Sequence, residues 1–131
     1  MDLGKLVTKD KADEGVWFQV ELYGKKQPFE VKILGDDADR VRIYSREKLR
    51  GVKVEKDTTL EKAVVDELLD SGDEDCLVRL CGIRSLDKEP LMLGKTELKC
   101  DEASYKLVLE KIPALRDFIL AKSRERTNFL S

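Results

Sequence analysis

Val16-Trp17-Phe18-Gln19-Val20-Glu21-Leu22-Tyr23, followed after Gly24-Lys25-Lys26-Gln27-Pro28 by Phe29-Glu30-Val31-Lys32-Ile33-Leu34, carries the reading of the fold. The first stretch is rich in β-branched and aromatic residues. Its Phe18, Val20 and Leu22 share one face at period two, the signature of a half-buried strand. The second alternates apolar with charged residues up to Ile33, and the Gly and Pro between them supply turn chemistry. Together they predict an N-terminal β-hairpin. Gly35-Asp36-Asp37 then stops the strand, and an Asp side chain there can accept from the free N–H groups that open a helix.

Downstream, the spacing turns helical. Ala38, Val41, Ser45 and Leu49 form a thin apolar stripe, with Tyr44 beside it and Arg40, Arg42, Arg46, Lys48 and Arg50 outside, so a helix is expected over 37–50. Thr58-Thr59-Leu60-Glu61 fits a capping box, and Leu60, Ala63, Val64 and Leu68 follow at helical spacing, which predicts a helix over 58–70. Residues 74–81 are too short for periodicity to separate helix from strand; helix is the preferred reading. Ile83-Arg84-Ser85-Leu86 facing Leu91-Met92-Leu93 across Asp87-Lys88-Glu89-Pro90 suggests a second, short hairpin. Asp101 can cap a helix lined by Tyr105, Val108, Leu109 and Ile112. Pro113 interrupts or restarts it, and Leu115, Phe118, Ile119 and Lys122 continue it. Residues 1–15 show no sustained apolar period and read as a flexible lead-in. The expected architecture is one α+β domain over 16–131, mainly helical: an N-terminal hairpin, central helices, a short second hairpin and a C-terminal helical pair.

Composition bounds the chemistry. In 131 residues there are 25 Lys and Arg against 27 Asp and Glu, and there is no His. A near-balanced charge lacks the basic excess that phosphate binding draws on. Without imidazole there are no His-based triads, His metal ligands or ordinary switches near neutral pH. Cys76, Cys81 and Cys100 are odd in number and show no Cys-x-x-Cys spacing, so they read as reduced, partly buried thiols. The longest apolar run, Phe118-Ile119-Leu120-Ala121, falls far short of the roughly 20 residues of a membrane span. Met1-Asp2-Leu3-Gly4-Lys5 lacks the pattern of a secretory signal, which makes the expected location cytoplasmic.

Gly94-Lys95-Thr96 evokes a phosphate-binding loop, but Glu89 stands where the first glycine is needed, so Gly94 is read as a turn residue. Asp36, Asp37 and Asp39 lack the spacing of a calcium loop and are read as helix-capping carboxylates at the positive end of the helix dipole. Lys122, Arg124 and Arg126 suit a helix C-terminus. Trp17, Phe18 and Phe29 read first as core. Phe129 and Leu130 lie beyond the last helix, where a chain end is normally polar, and this apolar pair invites docking onto its own domain or a partner. No catalytic residue, cofactor or metal is assigned.

The order of segments resembles that of tail assembly chaperones of long-tailed bacteriophages and related prophages. Phe29-Glu30-Val31-Lys32-Ile33-Leu34-Gly35-Asp36-Asp37-Ala38-Asp39-Arg40-Val41-Arg42 resembles the family's strand, Gly, helix start and following Arg. Trp17-Phe18, Cys81-Gly82-Ile83, the Pro90 turn, Glu102-Ala103, Pro113 and Asn128-Phe129-Leu130 fall in the family's order. Ala38 stands where Ser is usual, and Cys81 where Trp is expected. The resemblance implies a non-enzymatic holdase in the bacterial host cytoplasm that keeps the tape-measure protein soluble until the tail tube polymerises around it. A longer frameshifted product is also implied, with this chain as the shorter form. The implied partners are the tape-measure protein and, as a further candidate, the tail-tube protein. A homo-oligomer stays open, and neither nucleic acid nor membrane is expected. Partner contacts are assigned to Phe118, Phe129 and Leu130, with Trp17 as an outside choice. The alternative is a small nucleic-acid-associated protein using the basic C-terminal helix and the arginines at 40, 42, 46 and 50.

Overall fold

The computed structural model describes residues 2–51 and 72–131. The helix expected over 58–70 lies outside them. The described residues are an α+β fold built on a three-stranded antiparallel sheet in the order β1-β2-β3: β1 is Val16–Leu22, β2 Lys25–Ile33 and β3 Leu80–Ser85. The N-terminal hairpin is present, but its turn is tighter than Gly24 to Pro28. Leu22 pairs with Lys25, leaving Tyr23 and Gly24 as the loop, both at positive φ (55° and 74°). A two-residue loop with both central residues left-handed matches the right-handed twist of its strands, so β2 starts at Lys25. The register slips between Gln19 and Glu21, opposite Pro28, which has no N–H to give the ladder.

Alternation sorts the sheet into two faces. Phe18, Val31 and Ile83 are aligned across the three strands on the inner face, and Val20 and Ile33 are buried on that side. Trp17, Lys32 and Gly82 are aligned on the outer face. The helices from residue 72 onward cover the inner face. α2 (Asp39–Gly51) follows the sheet's second strand, and α3 (Gly72–Leu77) precedes the third. The C-terminal pair is α4 (Glu102–Lys111) and α5 (Pro113–Arg124). Asp101 caps α4, its carboxylate accepting from Ser104 N at 2.8 Å, and Pro113 opens α5, where its missing N–H costs nothing. Tyr105, Val108, Leu109, Leu115 and Ile119 meet Val20, Val31, Ile33, Leu80 and Ile83 in the main core.

Three expectations are corrected. The helix anticipated over 74–81 ends at Leu77, and Leu80 and Cys81 belong to β3. Ile83 to Ser85 does not pair with Leu91 to Leu93. It joins the free edge of β2, where Leu80 and Ile83 bury against a ready-made apolar face that an isolated hairpin would lack. The small hairpin instead forms from β4 (Met92–Leu93) and β5 (Thr96–Glu97), turning at Gly94 (φ 60°) and Lys95. Lastly, the segment before β1 is structured: a 3-10 turn, Leu3–Leu6, and then α1, Lys9–Glu14. Ala12 of α1 is fully buried against Leu34, Ala38, Val41 and Phe129 in a second, smaller core.

Phe129 is therefore a core residue, 1% exposed, held by a 3-10 turn (Arg126–Phe129) and set edge-on to Phe18 at 6.2 Å between ring centroids. Its assignment as a partner contact is corrected: among the described residues, the apolar space over Gly35 is filled by this ring. Replacing it by Ala removes the largest side chain of that cluster, so Phe129→Ala should cost about 3 kcal/mol or more in urea unfolding, and Leu130→Ser within about 0.5 kcal/mol. Tyr23→Asn should stabilise by about 1 kcal/mol, because Asn tolerates the left-handed conformation better than an aromatic residue; an unchanged or lower midpoint would contradict the turn assignment.

Candidate partner-binding surface

The two chain ends meet. The backbone N–H and the hydroxyl of Ser131 both donate to the Val7 carbonyl, at 3.1 and 3.0 Å. Arg126 makes a two-pronged contact with Asp37 (Nε to Oδ2 3.0 Å, a terminal nitrogen to Oδ1 3.1 Å), and Thr8 donates to the same carboxylate at 2.8 Å. Asp13 accepts from Asp39 N at 2.7 Å, so α2 takes its cap from α1, and Lys9 bridges Asp13 and Asp39. The acidic triplet thus does something other than cap its own helix. Asp37 and Asp39 fasten the two termini to the start of α2. Asp36 pairs with buried Arg79 at 3.1 Å, beside Ser123, whose hydroxyl donates to the Leu34 carbonyl at 2.7 Å.

This docking leaves several exposed apolar side chains near the joined termini. Leu3 and Leu6 are 61% and 63% exposed and, three residues apart in a 3-10 turn, lie on the same side of it. Val7 is exposed beside them, and Leu130 is 38% exposed next to the residue that bonds Val7. Of the residues singled out for partner contact, Leu130 is available here. Phe118 is half-buried against the main core, with the Lys122 ammonium 5.6 Å from its ring centroid. Trp17 is half-buried elsewhere, on the outer face of the sheet. It lies over Gly82, where a Cβ would stand 2.7 Å from a ring carbon, and the Arg84 guanidinium sits 4.0 Å from its centroid while pairing with Glu30. The four residues are not brought together. Nothing in the sequence marks Leu3, Leu6 and Val7, because their one-turn spacing is too short to register as a period amid charges.

The cysteines are free thiols. Burial pushes the Cys76 thiol up to about 12 and raises that of Cys81 as well. Cys81 and Cys100 line a cleft of about 300 Å³ with Tyr105 and Arg40. There the Cys100 thiol donates to the Ile83 carbonyl at 3.0 Å and receives its N–H at 3.4 Å, covering the outer edge of β3. Among the described residues there is no cluster of three or more Cys, Asp or Glu side chains suited to a metal ion, and no helix long and apolar enough to cross a membrane.

The Arg126 contact, with the Thr8 hydroxyl, holds the Asp37 carboxyl below its usual value. A carboxyl that is more acidic in the folded state stabilises the fold above the unfolded value near 4 and loses that contribution as pH falls through the folded one. Asp37→Asn should therefore lower the urea midpoint at pH 7, and the gap to wild type should close as pH drops below about 4. A gap of constant size down to pH 2.5 would show that the loss is not electrostatic. No protein-family model, curated protein or solved structure matches this chain.

Proposed function

We propose that this protein is a tail assembly chaperone of the phage type, a holdase that covers apolar stripes on a helix-rich tape-measure protein before the tube encloses it. The observation that supports this most directly is the group Leu3, Leu6, Val7 and Leu130, exposed at the joined termini of a chain in which 40% of residues are charged. A scattered exposed leucine needs no explanation, but several close to the same joined termini are what an interaction surface requires. A holdase requires no nucleophile and no nucleotide. It requires modest apolar contacts that many copies repeat along one client, so that avidity holds the client while each contact stays weak enough for the polymerising tube to displace. Anchors at i, i+3, i+4 and i+7 on a client helix would lie against these side chains.

Support for the alternative, nucleic-acid association through the basic C-terminal helix, is thinner. Arg126 is engaged by Asp37, and Lys122 lies within 5.8 Å of the Phe18 and 5.6 Å of the Phe118 ring centroids. The test is co-expression with a long, helix-rich tape-measure protein of a phage tail. Soluble yield of that product should rise several-fold with this protein and fall back with Leu3→Ser/Leu6→Ser/Leu130→Ser, whose own fold, checked by circular dichroism, should persist. Equal yield with and without the protein would refute the proposal.

A further inference from the structure

The two edges of the three-stranded sheet differ in how they end. On β3 the Cys100 thiol donates to the Ile83 carbonyl and accepts from Ile83 N, so the ladder groups in the middle of that edge are occupied. β1 forms the other edge. Among the described residues its hydrogen bonds all run to β2, and no β1 residue bonds beyond them. Edge strands in folded proteins are commonly short, or guarded by Lys, Pro or a bulge. β1 is seven residues long and holds no Lys, Pro or Gly. Its register with β2 slips, but residues 27–29 of β2 stand there against Val20 alone, so the irregularity belongs to β2 and β1 runs straight.

The cover over the inner face thins toward this edge. Val31, Ile33 and Ile83 on the other two strands are buried, whereas Val16 and Phe18 on β1 are half-buried, as is Phe118 of α5. The Lys122 ammonium lies 5.8 Å from the Phe18 centroid and 5.6 Å from that of Phe118, so the two rings flank one cation. On the outer face two opposite charges stand unpaired. Among the described residues neither Glu21 nor Lys32 is in an ion pair. The Lys32 stem leans over Gly15, just ahead of β1: a Cβ there would stand 3.2 Å from its Cγ and 3.3 Å from its Cε.

We infer that β1 is the contact between two copies of this chain, paired antiparallel about a two-fold axis at Gln19. The strand is complementary to itself. Its seven residues centre on Gln19, and in that register Val16 faces the partner's Leu22 and Phe18 the partner's Val20 on the inner side, while Trp17 faces the partner's Glu21 on the outer. No like charges are opposed. Lys32 is aligned with Trp17 on β2, so it and the partner's Glu21 flank that residue from either side. Their backbones are then roughly 10 Å apart, a gap that two long side chains close, and the symmetry makes the ion pair twice. A shift of one residue would turn the apolar faces of the two copies to opposite sides, so the register is specified. The product is a six-stranded sheet with both sets of helices on one side and the half-covered Phe18 and Phe118 beside the seam. This inference does not rest on the chaperone reading.

The test uses the whole protein. Sedimentation equilibrium at high micromolar concentration should give twice the 15.0 kDa of one chain, falling toward a single chain on dilution. Amide hydrogen exchange should slow with concentration within residues 16–22 and stay unchanged within 80–85. Gln19→Lys sets two ammonium groups against each other at the axis and should raise the dissociation constant at least about tenfold, with the circular dichroism of the monomer preserved. Glu21→Lys and Lys32→Glu should each raise it several-fold, and Glu21→Lys/Lys32→Glu together should restore it. Leu3→Ser/Leu6→Ser/Leu130→Ser should leave the mass unchanged. A monomer at every concentration, a dimer untouched by Gln19→Lys, or one abolished by the terminal variant would overturn the inference. So would a monomeric chain whose 16–22 amides are protected by a synthetic extended peptide of unrelated sequence, which would make the edge a peptide-docking site.

Discussion

Gly35 sits where three parts of the chain converge, and the smaller core depends on its having no side chain. A Cβ there would stand 2.8 Å from the Cβ of Ala12 and 3.0 Å from the Phe129 ring. Such distances leave no room for even one methyl without moving a neighbour. The absence of that atom lets α1 approach from one side and the C-terminal ring from the other, and both close on the link between β2 and α2. Gly35 N donates to the Ala12 carbonyl at 3.2 Å and Asp36 N to the Ser123 carbonyl at 3.0 Å, so the same two residues fasten the N-terminal helix and the last long helix. The contact is local in space and remote in sequence, with Ala12 and Phe129 lying near opposite ends of the chain.

That separation explains what could be read from the sequence. The N-terminal hairpin, the Asp101 cap, the Pro113 start and the stripe of α2 are visible because each is written within one turn or a few alternating residues. Ala12 and Phe129 derive their burial from each other, and nothing near either one announces it. β3 is an intermediate case: Leu80-Cys81-Gly82-Ile83 is apolar enough for either structure, and the free edge of β2 decides. Gly82 has a reason of its own, since the missing Cβ leaves the seat for Trp17. The candidate surface was legible by halves. Leu130 stood out as apolar at a chain end, but its neighbour Phe129 had the same signature and went inward. Periodicity cannot tell such neighbours apart where the backbone turns through a short 3-10 segment.

The polar contacts follow the same division. Arg79, 6% exposed, would be costly to bury alone. It is accompanied by Asp36 and Ser123, and no buried side-chain nitrogen or oxygen among the described residues lacks a partner. Removing one member would leave the rest unpaired in a low-dielectric setting, so this group favours one arrangement of α5 against the β2–α2 link over near alternatives. The exposed Arg126 contact with Asp37 adds less, because water and salt compete for both partners. It fixes direction, drawing the last turn down so that Phe129 reaches its cavity and Leu130 is left facing out.

Sealing one residue and exposing the next has a physical consequence for binding. If the aromatic ring that closes the smaller core were also the contact offered to a partner, releasing the partner would reopen that core, and free and bound states would differ in stability by several kcal/mol. Here the closing ring is fully enclosed, and the exposed side chains Leu3, Leu6 and Leu130 lie outside both cores. A partner can therefore be gained or lost without any change in what holds the chain together. Side chains that are apolar and only partly covered contribute roughly 1 kcal/mol each when buried against another surface. A few of them amount to weak, reversible association for one copy, and strong retention arises only when copies act side by side on the same client.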